Sequence, residues 1–149
     1  MVKLEDEIRQ KKFSSPLQKA VINLIFTSNW VQHKQQEIFR THGITVQQFN
    51  ILRILKGQHP NGISGTEIKS RMLDRNSDVS RLLDRLAAKS LIERRTCPAD
   101  KRASDIFITT DGLSLLERLT KYENEIDSVI SLSPEEAELL SNLLDRARG

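Results

Sequence analysis

The sequence predicts a mainly α chain with a small two- to three-stranded β wing, and three observations predict it. Val79, Leu82, Leu83 and Leu86 recur at helical spacing, so one stripe of this segment faces a core. Ser77, Ser80, Arg81, Asp84 and Arg85 fall on its other side. Two short β-type runs follow at once, Ile92 to Thr96 and Asp105 to Thr109, joined by a charged turn from Cys97 to Ser104. A shorter helix precedes it, opened by Ser64-Gly-Thr-Glu67 and ending near Met72, with a polar break at 74–76. Two helices across a short polar turn form a helix-turn-helix unit, and the strands add a wing. The winged helix-turn-helix is expected over residues 45–110, with further helices on either side.

The remaining elements follow in order. Residues 1–13 are highly charged and read as a frayed arm or a short helix. Ser15-Pro16 opens a long helix, since proline suits a first helical position, and Thr41-His-Gly43 closes it. Within it Leu17, Ala20, Val21, Leu24, Ile25 and Val31 form one apolar stripe, and Ile22, Phe26 and Trp30 a second. A helix apolar over most of its circumference is covered on more than one side, here by its own core and by a partner. Thr45-Val-Gln-Gln48 is a capping box, His59-Pro-Asn-Gly62 a turn, and Asn76 the expected N-cap of the helix that carries Arg81. Thr109 caps one long helix carrying Leu113, Leu116, Leu119, Tyr122, Ile126, Val129 and Ile130. Ser133-Pro-Glu-Glu136 opens the last, which carries Leu139, Leu140, Leu143 and Leu144. A continuous leucine stripe on a terminal helix is rarely left bare, which argues for a homodimer through residues 15–40 and 111–149.

The 149 residues fit one domain over 1–149, and 38% hydrophobic content suffices for a core at that size. No run of eighteen apolar residues occurs and the start lacks a secretory pattern, so no membrane association is expected. The single cysteine, Cys97, has no internal disulfide partner, and together these features suit a cytoplasmic protein. The net charge of +3 is unevenly spread. Residues 1–63 hold nine Lys/Arg against four Asp/Glu, residues 64–102 ten against six, and residues 103–149 four against ten. A basic half joined to an acidic tail suits a protein that turns one face to phosphate; ordinary charge scatter is the competing reading.

An exposed helix face with two arginines a turn apart and short hydroxyls beside them fits a DNA major groove. Asn76, Ser77, Ser80, Arg81 and Arg85 are therefore candidates for base edges and phosphates of double-stranded DNA, against a merely solvated face. Asp84 would pair with Arg81 or Arg85 at helical spacing. Thr66 and Lys69 on the preceding helix are candidate phosphate contacts. Arg94 and Lys101, with Arg95, are phosphate neutralisers, and Arg102 is the strongest wing candidate because a narrow minor groove attracts arginine. Phe26, Trp30, His33, Phe49 and Arg53 are a candidate effector pocket; aromatic rings beside one cation suit a small aromatic or phenolic ligand, against plain core packing. His33, His42 and His59 lack metal-ligand spacing with each other or with Cys97, so neither metal nor cofactor is expected. No phosphate-binding glycine loop, nucleophile elbow or paired catalytic carboxylates occur, and no enzyme is expected.

Val79-Ser-Arg-Leu-Leu-Asp-Arg-Leu86, Leu91-Ile-Glu-Arg94, Asp100-Lys-Arg102 and Ile108-Thr-Thr-Asp-Gly112 resemble the recognition helix, first wing strand, wing tip and wing exit of the MarR transcriptional regulators. The resemblance covers residues 14 to 148 in element order, with specific motifs over 75 to 112. The four motifs in order are specific where each alone is weak. The resemblance implies a homodimer paired through its terminal helices, a wing-tip arginine at Arg102, and Asp100 orienting that tip. The peroxide-sensing cysteine of some members lies near the start of the first long helix, where this chain has none. Ser90 departs from the family, which usually has glycine there. A helix C-terminus often needs a left-handed residue, and serine in that conformation costs about 1 kcal/mol more than glycine.

The reading is a homodimeric DNA-binding regulator, a repressor released by a small-molecule effector. Two others stay open: a winged helix that binds a protein instead of DNA, and a ligand carrier or small enzyme using the interhelical pocket.

Overall fold

In the computed structural model the backbone is described for all residues except 98 and 99, and side chains for all except 97–103, 123 and 124. The charged N-terminus forms a single helical turn, α1 (Leu4–Glu7), held by burial of Leu4 and an ion pair from Glu5 to Lys19. Ser15 then accepts a hydrogen bond from the Gln18 amide at 3.0 Å and Pro16 occupies the first turn of α2 (Pro16–Arg40). Beyond its end, Gly43 takes φ +72°, which a side chain would resist. The capping box at α3 (Val46–Gln58) is complete: Gln48 N–H donates to Thr45 Oγ1 at 3.1 Å and Thr45 N–H to Gln48 Oε1 at 3.0 Å.

β1 (Ile63–Ser64) leads into α4 (Gly65–Arg71), where only half of the expected capping box forms. Ser64 Oγ accepts from Glu67 N–H at 3.1 Å, but the Glu67 carboxylate turns forward to Arg71 at 2.7 Å. An arginine one turn ahead is a stronger partner for a carboxylate than a neutral amide. The next helix, α5 (Val79–Ala88), is capped by Asp78, not by Asn76: Asp78 Oδ1 accepts from Arg81 N–H at 3.2 Å. Asn76 is instead held in the preceding turn, its N–H donating to Asp74 Oδ1 at 2.9 Å.

The wing is β2 (Ile92–Cys97) and β3 (Asp100–Ile108), and β1 completes an antiparallel sheet of order β1-β3-β2. Ile92 pairs with Ile108 and Thr96 with Ser104, while Ile63 pairs with Ile106. A register shift after Thr96 then brings Cys97 opposite Asp100. The turn expected over 97–104 is thus mostly strand: backbone pairing does not require apolar side chains, and a bulge absorbs the extra residues.

Thr109 caps α6 (Thr110–Thr120), accepting from Gly112 N–H at 3.1 Å. The single long helix expected here is two, α6 and the short α7 (Glu123–Asp127). Thr120 Oγ1 donates to Leu116 O at 3.0 Å, and the Tyr122 amide closes early onto Leu119 O at 2.8 Å. A threonine bonded back to the preceding turn bends a helix. Ser133, in a complete capping box with Glu136, opens α8 (Pro134–Arg148).

Ile51, Leu52 and Leu55 of α3, Ile68 of α4 and Leu86 of α5 are fully buried. Ile106 of β3, Leu116 and Leu119 of α6 and Phe39 of α2 close the same core. Helices and sheet are thereby welded into one head, and α5 is fixed against it by Val79, Leu83 and Leu86.

Candidate nucleic-acid interface

With Val79, Leu83 and Leu86 inward, α5 presents Ser80, Arg81, Asp84 and Arg85 to solvent, and Leu82 lies half-buried at the boundary. Ser77 does not join that face. It precedes the helix and turns inward, 9% exposed, with no partner for its hydroxyl among the described residues. Its N–H is held by Asp74 O at 3.2 Å, which fixes the inward turn. Asn76 is exposed beside it, and Thr66 and Lys69 are exposed on α4.

Ion pairing sorts the arginines of this region. Arg71 is held by Glu67 at 2.7 Å, and Arg94 by Asp84 at 2.7 Å. Arg95 pairs with Glu93 and lies 4.2 Å from the Phe107 ring centroid. Arg81 and Arg85 have no ion pair among the described residues, so both guanidinium forks are open. Asp84 therefore bonds the wing strand and not Arg81 or Arg85, and Arg94 ties β2 to α5 instead of standing as a free cation. Asp100, Lys101 and Arg102 occupy the first positions of β3, immediately after the turn; their side chains and that of Cys97 lie outside the described residues.

A cleft of about 250 Å³ opens on this face, lined by Gln47, Asp74, Ser77, Asp78, Arg81 and Arg85 among others. Gln47 and Asp74 are site residues that the sequence pattern does not single out. Gln47 follows the Thr45 cap by two positions, so the capping box already marked a helix end, but not the end's proximity to α5.

The five candidate effector residues do not form one cluster. Trp30 lines a cleft of about 690 Å³ between α2 and the α6–α7 region, with Lys34, Glu37, Ile38, Tyr122 and Val129. Phe49 stacks on Phe39 with centroids 4.4 Å apart, and Arg53 lies 5.7 Å above the Phe49 ring. His33 is exposed, 3.9 Å from Glu37, and Phe26 is half-buried on α2. Tyr122, in edge contact with His42 at 5.2 Å, is the aromatic neighbour that sequence spacing could not reveal.

The second large surface feature is apolar. Leu17, Val21, Leu24 and Ile25 on α2 are between 49% and 79% exposed, and Leu139, Leu140 and Leu143 on α8 between 39% and 60%. No residue of α8 is buried.

Comparison with known proteins decides what this arrangement belongs to. The model of the MarR family matches residues 42–103. The chain is 31% identical to the transcriptional regulator MhqR of Bacillus subtilis over 118 residues, spanning 76% of this chain and 78% of that protein. It is 30% identical to the transcriptional regulator PecS of Dickeya dadantii, over 74% of this chain and 68% of that one. The chain belongs to the MarR family. Among solved structures, a MarR transcription factor from Planctomyces limnophilus superposes with a TM-score of 0.70 at 29% identity, covering 90% of this chain and 98% of that one. The MepR–DNA complex of S. aureus does so with 0.74 at 27% identity, over 92% and 97%.

The MarR family match begins just before α3 and ends within β3, so it encloses the helix-turn-helix, Arg81, Arg85 and the start of β3. The structural matches cover more of the chain than the family match does, 90% and 92% of it. The relatives are transcriptional regulators and not enzymes. Among the described residues no helix is long and apolar enough to cross a membrane, and no group of three His, Cys, Asp or Glu side chains is placed to hold a metal ion.

Proposed function

We propose that this MarR-family protein is a homodimeric DNA-binding repressor that reads a pseudo-palindromic operator and is released by a small-molecule effector. The observation that carries the DNA reading is the pair of unengaged guanidinium groups on α5. Arg71, Arg94 and Arg95 are held by carboxylates, while Arg81 and Arg85 project without one among the described residues, beside Ser80. Arginine left open in this way matches the paired acceptors of a guanine edge or a phosphate. Its relative MepR has been solved with DNA at 27% identity.

In this reading residues 45–110 form the DNA-binding region, and Asn76, Ser80, Arg81 and Arg85 meet the major groove. Thr66 and Lys69 meet phosphates, and Lys101 and Arg102 reach the flanking backbone or minor groove with Asp100 orienting the wing. Ser77 supports the turn from inside. The bare apolar faces of α2 and α8 pair with those of a second copy, placing two α5 helices in successive major grooves roughly 34 Å apart. The cleft beside Trp30 and Tyr122 would take the aromatic or phenolic effector. A ligand there acts only by binding better to the conformation in which the heads are misplaced, so occupancy shifts a two-state balance.

The test is binding of duplexes selected from a random library. Arg81→Ala should lose about 1–3 kcal/mol of affinity, close to ten- to hundredfold, and relax the preference at one position of each half-site. Wild-type affinity and preference in this variant would remove α5 as the reading element.

A further inference from the structure

We propose that a second cleft, where the N-terminus of α3 meets the ends of α2 and α5, seats a phosphate of the DNA backbone. The inference rests on the DNA-binding reading above and adds residues that neither the sequence motifs nor that reading assigns: Arg40 and Lys89.

The cleft measures about 520 Å³ and lies where the end of α2, the start of α3 and the end of α5 meet. Three cations line it, Arg40, Arg85 and Lys89, and among the described residues its lining holds no acidic one. The other two clefts differ in this respect. The one on the α5 face sets Asp74 and Asp78 against Arg81 and Arg85, and the one beside Trp30 sets Glu37 and Glu125 against Lys34. An uncompensated threefold positive cleft attracts a strong anion.

The backbone reinforces the charge. α3 is 13 residues long and points its N-terminus into this cleft through Thr45 and Gln48. Its first amides are mostly engaged: Thr45 N–H by Gln48, Val46 N–H by Gln36 Oε1 at 3.2 Å, and Gln48 N–H by Thr45. The charge at this end of the helix is thus the partial positive charge of the helix terminus, added to that of the three cations. Lys89 Nζ donates to Gly43 O, which anchors its ammonium over the turn; a lysine ammonium keeps two further donors. Arg40 has no ion pair among the described residues.

The occupant follows from continuity. Arg85 lines both this cleft and the one on the α5 face, so a duplex engaged by Arg81 and Arg85 runs past the α3 N-terminus. The anion that meets it there is a backbone phosphate. Such a contact carries no base information; it fixes the depth and register at which α5 lies in the groove.

The experiment measures duplex binding by fluorescence anisotropy across a salt series, for the full chain and for R40Q, K89Q and the double variant. Two duplexes serve as probes, one selected and one of random sequence. The double variant should weaken both by the same factor, leaving their ratio intact. Its salt slope should flatten by about 0.9 for each phosphate no longer neutralised, hence by about two for one phosphate in each protomer. A steep wild-type slope that the single and double variants all retain overturns the phosphate seat and leaves the α5 reading standing. Absence of wild-type binding to either duplex overturns the two together. Thermal stabilisation of the wild type, but not the double variant, by inorganic phosphate with unchanged duplex slopes also overturns it, in favour of a free anion. Should the double variant melt early because Lys89 no longer bonds the Gly43 carbonyl, R40Q alone decides, since Arg40 holds no ion pair among the described residues.

Discussion

The head and the terminal helices are both rich in leucine and isoleucine, yet they treat them oppositely. In the head Ile51, Leu52, Leu55, Ile68 and Leu86 show no exposed surface at all. In α2 and α8 Leu17, Ile25 and Leu139 stand more than half exposed, and α8 buries nothing. The head's core is therefore complete within one chain, Phe39 of α2 included, whereas the apolar stripes of α2 and α8 stand uncovered. Apolar stripes of that size on a regulator fit an interface with a second copy. The difference separates two kinds of perturbation: one should disturb assembly and leave the head folded, the other should disturb the head and leave assembly alone.

The largest expected effect breaks the contrast from the terminal side. Replacing Leu24 and Leu140 together by glutamate, L24E with L140E, buries charges in the proposed interface. The protein should run as a monomer in light scattering and lose affinity for a selected duplex by on the order of a hundredfold or more, because two linked heads bind with far higher effective concentration than one. Its circular dichroism should stay helical, since neither residue belongs to the buried core of the head. A dimer that survives both substitutions would move the interface to another surface.

A smaller effect breaks the contrast from the head side. Gly112 sits in the first turn of α6, against the carbonyl of Leu91 and the side chain of Ile108; a methyl group on it would collide with both. Gly112→Ala should lower stability by roughly 1–3 kcal/mol, as overpacking does at a rigid site, while the variant remains dimeric. A thermal melt run beside size-exclusion chromatography checks both halves. An unchanged melting temperature would mean that α6 can shift away from β2 without cost.

How much of this was legible in the sequence follows the same division. Helix starts that depend on one local residue were readable: Ser15, Thr45, Ser64, Thr109 and Ser133 each cap where their spacing says. Asn76 and Asp78 show the limit. Asn76-Ser-Asp78 offers three capping residues in a row, and the choice falls to Asp78 because Asp74 already holds the Asn76 and Ser77 amides. Partners far apart in the chain were unreadable for a related reason. Helical spacing offers Asp84 only Arg81 and Arg85, but folding brings the strand residue Arg94 to 2.7 Å. The break after Thr120 has no glycine or proline to announce it, and the Trp30–Tyr122 cleft joins residues that only packing brings together.

Ser90 offers the finest test, because here the sequence and the geometry agree on a cost. Its φ is +59°, the left-handed conformation expected of the residue that ends α5, and serine is one of only two described non-glycine residues with positive φ. The surrounding hydrogen bonds hold it there. Ser90 N–H donates to Ala87 O at 2.9 Å, Leu91 N–H to Leu86 O at 3.1 Å, and the Ser90 carbonyl accepts from Thr109 Oγ1 at 2.7 Å. Thr109 in turn caps α6, so the strained residue joins the end of α5 to the helix that leads out of the wing. Ser90→Gly should relieve the left-handed penalty, offset in part by the greater freedom of glycine in the unfolded chain, for a net gain of up to about 1 kcal/mol. Duplex affinity should hold, since no side chain of α5 is altered. A lower melting temperature would show that the serine side chain contributes more than its backbone costs, and that the strain at this junction is compensated within the turn itself.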